Sequence, residues 1–176
     1  MPPQILAHDD SVEDHTSAAF YFNDIADCND AAGSHSCIDL ESVMDISDEV
    51  KQLLDGAPEA NTSSPLPPPS CWILSGVQRV AKFKESERNE LAVHLAVFRI
   101  PSVDSDIVVH LNQPININAK SSSTTVAHAT AVGTKEEGMA LFKVILRSLK
   151  VKDWGLFDGH IDEDEDENET TNMAPA

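Results

Sequence analysis

The sequence predicts a single α+β domain built on an antiparallel sheet, and three observations lead there. Three apolar stretches follow one another closely at 71–80, 91–100 and 106–114, joined by a charged turn and by "PSVDS". Connections this short force antiparallel neighbours, because parallel strands need a long crossover. Downstream, Thr134-Lys135-Glu136-Glu137 fits a capping box, and Met139, Phe142, Ile145, Leu146 and Leu149 follow on one helical face. Finally, 176 residues at 41% apolar content suffice for one core, and an aromatic content of 5% makes that core mostly aliphatic.

Taken in order, residues 1–17 are polar and weakly periodic and are expected to form a flexible leader. Residues 19–25, "AFYFNDI", carry β-favouring aromatics and read as a strand. "SCIDLESV" (36–43) alternates apolar with polar and gives a second one. Ser47 supplies a hydroxyl N-cap to a short helix, Asp48 and Glu49 sit on its positive end, and Gly56 closes it. Residues 57–70, rich in Pro and Ser, form a loop. The 71–80 strand contains Ser75-Gly76 but no Gly-x-x-x-x-Gly-Lys spacing, so a bend at a glycine replaces any phosphate-binding loop. Strand 91–100 is apolar at nearly every position, which requires cover on both faces. Residues 116–133 are a polar loop, and Lys143, Arg147, Lys150 and Lys152 sit toward the negative end of the last helix. The run "DEDEDENE" (162–169) marks 158–176 as a disordered acidic tail. The expected organisation is therefore a leader (1–17), a domain (18–157) and a tail (158–176).

The formal net charge of −18 argues against direct binding of nucleic acid, which rests on neutralised phosphates. That charge is unevenly placed: residues 1–60 carry a net −13, residues 61–157 a net +3, and the tail eight acids and no base. An acidic front and tail point to basic protein partners, against the plainer reading that acids serve solubility. No apolar run of about 18 residues is present, so no membrane insertion is expected. The opening residues show no secretory pattern, which makes the Asn61 and Asn168 sequons chance. Cys28, Cys37 and Cys71 form no Cys-x-x-Cys pair and read as free thiols in a reducing compartment. His94 and His110 lie within strands and read as core or sheet-face residues. No Gly-x-Ser-x-Gly elbow and no metal-ligand spacing occurs. The residues alone point to a domain without a chemical active site or cofactor.

"CWILSGVQRVAK" followed by "LAVHLAVFRIPSVDSDIVVHLNQP" resembles the Ran guanine nucleotide release factor family. The shared features are a tryptophan strand, a strand ending in Arg-x-Pro and a strand closing with Asn-x-Pro, here Trp72, Arg99 to Pro101 and Asn112 to Pro114. "FYFNDI" and "LESV" are similar to the family's two preceding strands, and "GMALFKVILRSLKVKDWGLF" (138–157) to its closing helix. The resemblance implies an antiparallel sheet flanked by helices, a sandwich of α/β/α type. It implies a factor without catalysis that binds the small GTPase Ran through an acidic surface, promotes loss of its nucleotide and supports nucleocytoplasmic transport, in nucleus and cytoplasm. On the matching positions that surface is Asp24 and Glu41, with Asn23 and Asp39 beside them. The alternative is an acidic adaptor or chaperone holding basic proteins through the tail. The family pattern also opens with an acidic strand-and-helix segment ahead of the 20–25 strand, which this chain is expected to lack.

Overall fold

The computed structural model describes residues 3–44, 48–58, 66–82, 86–123 and 132–157, with side chains at 40–44 and 48–50 left aside. The elements, in order, are β1 (Gln4–Ala7), α1 (Ser17–Cys28), β2 (Ser36–Met44), α2 (Asp48–Leu54), β3 (Ser70–Ala81), β4 (Arg88–Ile100), β5 (Ser105–Asn116) and α3 (Lys135–Ser148). The five strands form one antiparallel sheet in the order β1-β5-β4-β3-β2. β4, the most apolar strand, lies at the centre and is buried from Ala92 to Ile100.

Helices cover both faces, and two clusters of buried residues divide the core. On one side Ala18, Tyr21 and Phe22 of α1 pack on Leu74, Val93, Leu95, Val97 and Val108. On the other, Phe142 and Leu146 of α3 and Leu53 of α2 pack on Ile73, Ala96, Phe98, Ile100 and Ile107. The capping box at the start of α3 forms as expected. Thr134 Oγ1 accepts from the Glu137 amide at 3.1 Å, and Glu137 Oε2 accepts from the Thr134 amide at 2.8 Å.

Residues 19–25 are a correction: they lie in helix α1, not in a strand. Ala18, Tyr21, Phe22 and Ala26 recur at spacings of three and four, and all are buried. Asn23, Asp24 and Asp27 fall on the exposed side. The strand preference of Phe and Tyr is a matter of packing context, and here one continuous helical stripe buries more of them than alternation would. The start of the chain is a second correction. Residues 4–7, expected in a flexible leader, pair with β5 as the strand β1, Ile5 opposite Ile107. With 20–25 in a helix, β1 and α1 together supply a strand and a helix ahead of β2. The expected lack of such a segment therefore does not hold as stated.

Gly76 sits inside β3, paired with Val93, rather than in a loop. A Cβ added there would meet the Cys37 carbonyl oxygen at 2.5 Å and the Phe22 ring at 2.6 Å. The glycine is thus the point where β2 and α1 close onto the middle of the sheet. Positions 59–65 and 124–131 of the expected loops, and the 158–176 tail, lie outside the described residues.

Candidate functional site

The α1 side of the sheet is acidic because of what its sequence omits. Residues 3–44 contain no Lys or Arg, while Asp9, Asp10, Glu13, Asp14, Asp24, Asp27, Asp30 and Asp39 all lie there. α1 presents Asn23, Asp24 and Asp27 outward, together with Phe20, which is 46% exposed and packs edge-on against the Tyr21 ring. The end of the helix is latched to the sheet. Asn29 Nδ2 donates to Gln78 Oε1 at 3.0 Å, and buried Gln78 donates through Nε2 to the Phe22 carbonyl at 3.2 Å.

The loop leading into α1 is fixed by one buried cation. Arg99, 1% exposed at the end of β4, donates to the carbonyls of Val12 and Asp9. It also meets the carboxylate of Asp14 at 2.9 Å and that of Asp106 at 3.4 Å. Asp106 is 1% exposed and is further held by His8 Nδ1 at 2.8 Å and by the Tyr21 hydroxyl, which donates to Oδ2 at 2.9 Å. Burial and that bond to a carboxylate push the Tyr21 phenol well above its ordinary pKa, so it stays a donor. At the rim, the hydroxyl and amide of Ser11 bond Asp9 and lower its carboxyl pKa. A charge this deep in a β-sheet persists only when its donors are matched, and here residues 8–14 match them.

Of the four residues expected to meet a partner, the structure describes the side chains of three, on two elements. Asn23 and Asp24 are adjacent and exposed on α1. Asp39 lies on β2 at an irregular register and pairs with Lys135 Nζ at 2.9 Å, where the opposite helix α3 begins. Glu41 belongs to β2, and its side chain lies outside the described residues. Sequence reasoning passed over Asp27, Phe20 and the acids of 9–14, because it treated 1–17 as a leader and 19–25 as a strand. The signal was present in the helical spacing of Ala18, Tyr21, Phe22 and Ala26.

A serine–histidine pair does occur, but in the core. Ser75 Oγ and His94 Nδ1 are 2.9 Å apart, at 1% and 0% exposure. The His94 ring stacks on Phe142, and its Nε2 lies 2.7 Å from where a Cβ on Gly138 would stand. Burial, and then the Lys135 charge, lower the pKa of His94 and keep it neutral. Sealed beneath α3, this pair has no path to a substrate. Of the cysteines, Cys28 and Cys37 are exposed and Cys71 is buried, and none of the three is in a disulfide.

The sequence that builds this sheet is similar to known proteins. A family model described as the Ran-interacting Mog1 protein matches residues 4–114, from β1 through most of β5. The chain belongs to the Mog1 family. The Ran guanine nucleotide release factor of Danio rerio is 30% identical over 154 residues, covering 88% of this chain and 75% of that protein. A probable Ran guanine nucleotide release factor of Dictyostelium discoideum is 30% identical over 87 residues, 49% of this chain and 45% of the other. The Ran guanine nucleotide release factor of Homo sapiens is 28% identical over 111 residues, 63% and 50%. The chain thus spans about half the length of the latter two relatives. The Mog1 match begins at residue 4, so β1, the Arg99-anchored loop and α1 all belong to the family domain.

Proposed function

We propose that this chain binds the small GTPase Ran and promotes release of its guanine nucleotide, in support of nucleocytoplasmic protein transport. It acts in nucleus and cytoplasm and carries out no bond chemistry of its own. The observation that carries this reading, beside membership of the Mog1 family, is the acidic segment 3–44, which contains no Lys or Arg of its own and whose loop into α1 is held by Arg99. The mechanism is thermodynamic linkage: a protein that binds the nucleotide-free GTPase more tightly than the loaded form weakens nucleotide binding by the same factor. Acidic side chains on α1 steer the encounter toward a basic patch and compete there with phosphate for its cations. Preorganisation by Arg99 lets the loop bind without first being ordered.

The test is release of a fluorescent guanine nucleotide from Ran. The chain is expected to accelerate release and to bind nucleotide-free Ran more tightly than loaded Ran. Asp24→Lys and Asp27→Lys should each weaken binding by more than about 1 kcal/mol, chiefly through a slower on-rate. Equal affinity for the two forms of Ran would refute the release mechanism. Wild-type binding by both variants would remove the α1 surface from it.

A further inference from the structure

β1 ends the sheet with β5 as its one strand partner among the described residues. Edge strands are ordinarily guarded by charge, an internal proline or a bulge. Gln4-Ile5-Leu6-Ala7 is short but has none of these, and all four residues are exposed, Ile5 by 54% and Leu6 by 37%. Beside this edge, on the α3 side, lies a cavity of about 280 Å³ walled by Ile5, Leu53, Ile107, Leu149 and Phe157. Lys150 and Lys152, both exposed, line it as well, with Asp153 the one acid.

We propose that the β1 edge and this cavity form a docking site for an extended acidic segment of a partner protein, which adds a strand beside β1. Alternate side chains of an added strand point to one face, so one or two aliphatic groups enter the cavity while flanking acids meet the lysines. Local charge selects this occupant. Among the described residues the cavity is lined by two lysines and one acid in a chain of net −18, and a second copy meeting it about a two-fold axis brings the same lysines against themselves. The surface lies on the α3 side of the sheet, away from the acidic α1 side, and stands apart from the reading for Ran.

The probe is a fluorescein-labelled peptide, Glu-Asp-Ile-Thr-Val-Asp-Glu, with its aliphatic residues at alternate positions and acids at both ends. Saturable binding to the 176-residue chain is expected, with slowed amide exchange across residues 4–7. Lys150→Glu combined with Lys152→Glu should weaken it by about tenfold or more. Leu156→Asp, at a cavity-lining side chain 76% exposed, should weaken it without endangering the fold. N-methylating one alternate set of peptide amides should abolish binding, and methylating the other should leave it. Equal binding by both methylated peptides, or by a scrambled peptide with Ile and Val adjacent, would overturn strand addition. Two further results would overturn the choice of occupant. One is a dimer dissociated by Ile5→Asp, which assigns the site to a second copy. The other is peptide binding that appears only once 158–176 is deleted, which assigns it to the chain's own tail.

Discussion

Replacing Arg99 with Met tests how the acidic loop is held. The side chains of Arg99 and Asp106 are 2% and 1% exposed, so the substitution leaves a buried carboxylate without its cation. It also strips the Val12 and Asp9 carbonyls of their donor. Breaking a buried, hydrogen-bonded ion pair from one side costs about 3–5 kcal/mol, because the remaining charge stays desolvated. A domain of this size is stable by about 5–15 kcal/mol, so the variant should be folded but weakened. Urea unfolding at neutral pH, followed by tryptophan fluorescence, measures the loss. Amide exchange across 9–14 reports where it falls, and that stretch should lose protection before the sheet does. Arg99→Lys should give an intermediate loss, since a single ammonium cannot reach two carbonyls and two carboxylates at once. Adding Asp106→Leu to Arg99→Met should recover part of the stability by removing the stranded charge. A loss below about 1 kcal/mol with unchanged exchange across 9–14 would refute the anchoring role.

Gly76→Ala should destabilise by about 2 kcal/mol or more, because the new methyl meets backbone at Cys37 as well as the Phe22 ring; a melting temperature within a degree of wild type would contradict that close approach. Stability should decline on mild acidification. The folded pKa of His94 lies below its ordinary 6.5, so its contribution is full above that value and is lost as pH falls through it toward the folded value. Half-buried His110, lowered chiefly by desolvation, adds the same sign. Denaturation between about pH 7.5 and 5.5 should show this slope flattened in His94→Gln, and an unchanged slope would exclude His94 as its source. Lys135→Ala should cost less than about 1 kcal/mol, since both partners of the Asp39 pair are 33% exposed; a larger loss in thermal melting would mean that the pair fixes the start of α3.

The parts of the fold legible in the sequence are those where local pattern and tertiary packing agree. β3, β4 and β5 combine apolar runs with short connections, and α3 carries its own capping signal and one buried stripe, so nothing competes with either assignment. α1 was misread where two patterns overlap. Phe20, Tyr21 and Phe22 favour a strand as a local triplet, while Ala18, Tyr21, Phe22 and Ala26 favour a helix over a longer window. Packing on Leu74 and Val97 decided for the helix, and that information lies some fifty residues or more away in sequence. β1 is illegible for a related reason. Four residues give no period, and their strand state depends on pairing with β5 about a hundred residues later.

The same distance effect explains what could and could not be read of the candidate site. An arginine closing an apolar strand is visible in sequence at Arg99. Its partners are not, because His8, Asp9, Val12 and Asp14 precede it by 85 to 91 residues. Once those partners are known, the acidity of the chain's front takes on a spatial meaning. Five of the eleven bases between residues 61 and 157 are Lys135, Lys143, Arg147, Lys150 and Lys152, on or just beyond α3, while residues 3–44, which include α1, have none. The two helices lie on opposite faces of the sheet, so, apart from Lys135, which meets Asp39 at 2.9 Å, helix, sheet and helix place the charges of α1 and α3 about 20 Å apart. The screening length at physiological salt is about 8 Å, so neither face cancels the other at its own surface. The net charge therefore understates the local field on both sides. A basic partner arriving at α1 meets acid unrelieved by the cations behind the sheet, and an acidic one arriving beside β1 meets Lys150 and Lys152.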